Sequence, residues 1–163
     1  MDNPSVSAIV KNRELMELTW TTLSPDMKDL KGYLRTLKSD KYGSEEILGR
    51  WSFDLASSML AYRLDKPAVS ASDVPKIRRW MDERFGRTTL VAAPDKMVAI
   101  KNFPTPPSAG NPTPGPRNLQ GNWRNDGDYY LNFPGEEERK ARITNGKLSF
   151  KTEGVTVVLV PES

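Results

Sequence analysis

Between residues 119 and 160 the chain falls into five short runs of alternating apolar and polar residues, and that rhythm limits the fold more than any other feature. The runs are Leu119 to Arg124, Tyr129 to Phe133, Lys140 to Thr144, Leu148 to Thr152 and Thr156 to Val160. Turn residues separate them: Asp126-Gly127, Pro134-Gly135 and Asn145-Gly146. Asn-Gly is a strong hairpin signal, because both residues tolerate positive φ. Strands joined by such short turns run antiparallel. Upstream, Thr88 to Ala93 and Met97 to Asn102 flank the turn Pro94-Asp95-Lys96, and Ile47 to Asp54 reads as one more strand. Eight strands in mostly hairpin order predict a mainly β protein, α+β overall, built on a small antiparallel up-and-down β-barrel. A two-sheet sandwich is the alternative.

Helical signals interrupt this pattern in two places. Ala56 to Leu64 reads as a helix directly after the first strand, followed by a loop through Lys66-Pro67. A second helix starts near Ser72 or Asp73, with Pro75 in its first turn, where a missing N–H costs nothing. Val74, Ile77, Trp80, Met81 and Phe85 form its expected core face, and Gly86 its C-cap. Residues 1–46 read as a helical N-terminal extension. There Val6, Ile9, Val10, Met16, Trp20 and Leu23 share one side, and a second helix starting at Ser24-Pro25 carries Met27, Leu30, Leu34 and Leu37. The expected organisation is this extension, then a barrel domain over 47–163 with a helical insertion at 56–86. A Pro/Gly-rich loop at 104–116 reads as an exposed connection, with a polyproline ligand as the lesser reading.

Two segments 72 residues apart repeat one pattern. Ile47-Leu48-Gly49-Arg50-Trp51-Ser52-Phe53-Asp54 and Leu119-Gln120-Gly121-Asn122-Trp123-Arg124-Asn125-Asp126 share the form aliphatic-x-Gly-x-Trp-x-x-Asp. The glycine lets a strand bend or another backbone come close, and the tryptophan two positions on projects to the same face. Gly49-x-Trp51 resembles the first-strand motif of the calycins, the superfamily of lipocalins and fatty-acid-binding proteins. A first strand running straight into a helix pair is similar to the intracellular fatty-acid-binding proteins. Phe85-Gly86-Arg87-Thr88-Thr89-Leu90 resembles the continuation found in small bacterial lipocalin-like domains. The resemblance covers about residues 47–161 and implies a ligand-carrying barrel. The chain departs from it in the final strand, Val155-Thr156-Val157-Val158-Leu159-Val160, which lacks the Arg-x-Tyr that holds a fatty-acid carboxylate in those carriers. Asp128-Tyr129 is only a fragment of the secreted lipocalins' Thr-Asp-Tyr block.

Alternation assigns the interior. Tyr129, Leu131 and Phe133 share one face; Ala141 and Ile143 oppose Lys140 and Arg142; Leu148 and Phe150 oppose Ser149 and Lys151. Trp51, Phe53, Trp123, Tyr129, Leu131 and Phe150 are the candidate ligand-contacting residues. This inward set contains neither cation nor carboxylate, which argues against binding a charged head group. Either the side chains fill the barrel, the favoured reading, or a neutral apolar ligand occupies it.

Composition closes off most chemistry. With no cysteine and no histidine, thiolate and imidazole metal sites, disulfides and histidine bases are all absent, and no EF-hand spacing supplies a carboxylate site. Ser57-Ser58-Met59-Leu60 lacks the lysine of a Ser-x-x-Lys pair, and Glu136-Glu137-Glu138 reads as an exposed loop. No catalytic residue, metal or cofactor is expected, and an enzyme using carboxylates or serines is the least favoured reading. Residues 1–46 carry 7 basic and 8 acidic side chains and residues 47–163 carry 17 and 13, so the charge of +3 is spread thinly. Lys76, Arg78, Arg79, Arg84 and Arg87 cluster, but Asp82 and Glu83 interrupt them, and nucleic-acid binding is disfavoured. No run of about 18 apolar residues spans a bilayer. Met1-Asp2-Asn3-Pro4 shows no signal peptide, although an exported or anchored protein shortened at its N-terminus would read the same way, and the compartment stays open. The sequence thus points to a structural or protein-interaction module. Its expected partner is another protein or a second copy bound through the N-terminal helices, and carriage of a small apolar ligand is the alternative.

Overall fold

The computed structural model describes residues 45–162, so all of the expected N-terminal extension except Glu45 and Glu46 lies outside the described residues. Eight strands follow in order: β1 Gly49–Phe53, β2 Thr89–Ala92, β3 Met97–Phe103, β4 Arg117–Asp126, β5 Asp128–Asn132, β6 Arg139–Thr144, β7 Lys147–Thr152 and β8 Val155–Pro161. Two helices, α1 Leu55–Asp65 and α2 Val74–Phe85, lie between β1 and β2. Each strand pairs antiparallel with the next, and β8 returns to β1 through Ser52↔Val160 and Phe53↔Leu159. The sheet closes into an up-and-down barrel, which rules out the two-sheet sandwich and leaves no free edge.

The alternating topology gives the barrel two unlike ends. At one lie the β1–α1–α2–β2 crossover and the β3–β4, β5–β6 and β7–β8 connections. At the other lie the short β2–β3, β4–β5 and β6–β7 turns, where Lys96, Gly127 and the Asn145–Gly146 pair adopt positive φ. Asn-Gly therefore makes the turn its sequence dictates.

Local chemistry sets the helices. Asp54 ends β1 in an extended conformation, and its carboxylate accepts the Ser57 backbone N–H at 3.0 Å, capping α1. Buried Ser58 pins α1 to β8, because its hydroxyl oxygen accepts the Val158 N–H at 2.9 Å. In α2, Pro75 occupies the first turn and Gly86 is the C-cap. Met81 and Phe85 are buried and Val74 and Ile77 half-buried, but Trp80, expected on the core face, is 39% exposed. The next residue, Met81, takes the inward position. One step along a helix is a rotation of about 100°, which carries Trp80 to the rim of the apolar stripe. Its ring meets Phe85 edge-on at 5.9 Å.

The proline-rich segment is mostly exposed, as expected, yet it is tied down. Thr105 O accepts a hydrogen bond from Arg84 Nη2 at 2.9 Å, the Thr105 hydroxyl donates to Gly115 O at 2.8 Å, and Ser108 and Asn111 exchange backbone hydrogen bonds.

Candidate functional site

Five of the six candidate interior residues, Trp51, Trp123, Tyr129, Leu131 and Phe150, belong to one continuous buried cluster with Leu90, Ile100, Phe103, Phe133, Leu148 and Leu159. The sixth, Phe53, is half-buried at the helix-covered end, 5.9 Å from the Phe85 ring. Trp51 is 3% exposed and donates its indole N–H to Ile47 O at 2.8 Å; Trp123 is 2% exposed and donates to Ala93 O at 2.9 Å. Both acceptors lie toward the barrel end opposite the helices, since Ile47 precedes β1 and Ala93 follows β2. Lys96 Nζ sits 3.9 Å above the Trp123 ring, and Tyr129 meets that ring edge-on at 5.9 Å. The Tyr129 hydroxyl donates to Glu45 Oε2 at 2.9 Å and accepts the Glu46 N–H at 3.1 Å. Burial, reinforced by that bond to Glu45, raises the Tyr129 pKa. The Asn125 amide, with help from Tyr129, holds the Glu45 carboxyl below its usual range despite desolvation.

The two glycines of the repeated motif answer different needs. Gly49 has φ +126°, which side chains of L-residues rarely adopt. Gly121 lies so close to β5 that a Cβ would sit 2.0 Å from Asn132 O.

The structure corrects the expected interior in one respect. Arg117 shares the inward face of Leu119, Gly121 and Trp123 on β4, and Arg139 shares that of Ala141 on β6. Both stand at the first residue of their strand, at the helix-covered end, so the barrel mouth does contain cations. Glu136, expected in an exposed loop, bridges them: its carboxylate lies 2.6 Å from Arg117 Nη1 and 2.9 Å from Arg139 Nη2. The side chains of Glu136 and Arg139 are each 16% exposed and that of Arg117 is 27%. The Arg139 guanidinium also lies 5.1 Å from the Phe103 ring centre. Hydrogen bonds from Arg139 hold the Glu136 carboxyl below its ordinary range against desolvation, and Arg117 adds to this. Arg117 Nε and Nη2 and Arg139 Nη1 are buried with no hydrogen-bond partner among the described residues. The sequence held a signal for these residues, because alternation carried two residues upstream of Leu119 and Ala141 reaches both arginines.

Other polar constellations are paired. On the outer wall Asp128 meets Lys140 Nζ at 2.6 Å and Arg142 Nε at 3.0 Å, and these hydrogen bonds, Arg142 foremost, bring its pKa down to about 2. Glu138, of the same expected loop, binds Arg124 at 2.8 Å. Lys147 Nζ donates to the Ser57 hydroxyl at 2.7 Å, a serine–lysine contact that local spacing could not show. It joins exposed Lys147 on β7 to the first turn of α1. Two hollows of about 570 and 540 Å³ meet at Glu83 and Arg84, between α2 and the proline-rich segment. Neither is lined by Ser57 or Lys147. Of the basic cluster, Arg84 is held by Glu153 and Thr105, and Lys76 lies 3.3 Å from Asp73. Among the described residues no group of three or more potential metal ligands occurs, and no helix is long and apolar enough to cross a membrane.

Searches against protein-family models, curated proteins and solved structures find no match to this chain.

Proposed function

We propose that the protein is a non-enzymatic β-barrel scaffold, a structural or protein-interaction module. The observation that carries this reading is the barrel interior: the residues positioned to touch an enclosed ligand pack on one another in a single cluster, and the polar atoms of both tryptophans and of Tyr129 are bonded within the chain. Eight strands enclose a space that side chains alone can fill, and on this reading a neutral apolar ligand would have to displace core residues. The Gly49-x-Trp51 strand, the helix pair after it and the eight-stranded closure support a place among the calycins. On this reading the barrel is a rigid body and binding belongs to its outer surface and to residues 1–46. The sequence of that extension carries the apolar stripe of Met16, Trp20 and Leu23, which suits a second copy or another protein.

Native mass spectrometry of the full chain, combined with displacement of a fluorescent fatty acid, tests the reading. The expected result is a bare mass and no displacement at tens of micromolar ligand. A stoichiometric apolar adduct, or saturable displacement, would overturn it in favour of a carrier.

A further inference from the structure

The arginine pair at the barrel mouth does not belong to the scaffold reading, and its bonding is incomplete. Two guanidinium groups carry ten N–H bonds between them, and one carboxylate neutralises one of the two charges. Glu136 engages Arg117 through Nη1 and Arg139 through Nη2. That leaves Arg117 Nε and Nη2, which form one edge of the guanidinium plane, with their N–H bonds side by side. This edge is the fork that grips a carboxylate or phosphate through two parallel hydrogen bonds. Arg139 Nη1 is a further donor without a partner among the described residues, and Glu136 holds the two guanidinium groups as neighbours.

A lone surface arginine would leave such donors to water. Here all three nitrogens are buried, and an unpaired donor or an uncompensated charge away from water is unfavourable. The surroundings fit a charged guest at a mouth rather than in the core. Phe103 lies beside Arg139, and both arginines stand at the first residue of their strands, at the rim of the barrel. The outer-wall cations differ, since Lys140 and Arg142 are exposed and both bind Asp128.

We propose that the helix-covered end of the barrel is an oxyanion-binding site, in which the Nε–Nη2 edge of Arg117 grips a carboxylate or phosphate group and Arg139 Nη1 supplies a further donor. The same chemistry suits a free oxyanion or the head group of an amphiphile. Binding of a free oxyanion here leaves the scaffold reading intact, whereas binding of an amphiphile's head group would overturn that reading in favour of a carrier.

The test is a nuclear magnetic resonance titration of the full chain at constant ionic strength, following the arginine Nε–Hε signals. The probes are inorganic phosphate and decyl phosphate, applied to the wild type, Arg117→Lys and Arg142→Lys. Arg117→Lys keeps the charge and removes the fork, whereas Arg142→Lys makes the same change on the outer wall. A saturable downfield shift of one Nε–Hε signal is expected in the wild type and in Arg142→Lys. In Arg117→Lys that signal is gone, and affinity read from backbone amides falls about ten- to a hundredfold, the worth of one charge-assisted hydrogen bond. Equal affinity for the two probes assigns a free oxyanion, and tighter binding of decyl phosphate assigns a head group. Absence of a saturable shift in the wild type overturns the proposal, a result that holds even if Arg117→Lys fails to fold. Equal weakening by both substitutions also overturns it.

Discussion

Replacing Gly121 with alanine adds one methyl group at the tightest point between β4 and β5. The new Cβ would lie 2.0 Å from Asn132 O and 3.0 Å from Phe133 Cα, both backbone atoms that no rotamer change can move aside. Carbon–oxygen contacts in sheets settle at about 3.3–3.6 Å, so the strands must part by more than about 1 Å. The neighbouring pairs Asn122↔Asn132 and Trp123↔Leu131 belong to the ladder that would open, and Trp123 and Leu131 are core residues. Overpacking costs about 1–3 kcal/mol and one or two weakened ladder bonds about 1 kcal/mol each, for a total of roughly 2–5 kcal/mol. Against the 5–15 kcal/mol typical of a domain this is a large fraction. Gly146→Ala is the control, since φ there is +71° but no atom lies within 4 Å of the added Cβ, and its cost is about 1–2 kcal/mol. Urea unfolding followed by tryptophan fluorescence measures both. A loss below about 1 kcal/mol for Gly121→Ala, or one no larger than for Gly146→Ala, would refute the reasoning.

Ser58→Ala removes the hydroxyl that accepts the buried Val158 N–H and should cost about 1–3 kcal/mol in the same assay, with Ser57→Ala much milder. Glu136→Gln should destabilise more at pH 7 than at pH 3. Its carboxyl titrates below the ordinary glutamate range in the folded protein, so the carboxylate's contribution is complete above the unfolded pKa and disappears as pH falls through the folded one. Equal loss at both pH values would show that the arginine contacts do not stabilise the ionised form. Gly49→Ala should cost at least about 1–3 kcal/mol in the same assay through backbone strain, because φ there is +126°.

Much of the barrel was legible because its strands alternate cleanly and its turns carry their own chemistry. Asn145-Gly146 and Gly127 fix hairpins locally, and the Gly-x-Trp echo marked two strands that both need glycine. Closure was less legible, since β1 meets β8 across more than a hundred residues and nothing local encodes that pairing. Trp80 was misplaced because a bulky apolar residue one step from Met81 reads as core until the register of the helix on the barrel is known. The arginine–glutamate bridge is illegible in the sequence for a different reason. The runs legible in the sequence start at Leu119 and Lys140, which leaves Arg117 and Arg139 just outside the alternation that turns them inward. Contacts such as Lys147 with Ser57, 90 residues apart, exist only once the fold is known.

Hydrogen exchange at the four indole N–H groups, resolved by nuclear magnetic resonance, tests most directly whether the barrel is sealed by its own side chains. The Trp51 and Trp123 indole protons, bonded to Ile47 O and Ala93 O inside the cluster, should exchange as slowly as amides in the middle of β3 and β4, while the half-exposed Trp80 exchanges rapidly. Exchange of Trp51 and Trp123 as fast as that of Trp80 would contradict the account.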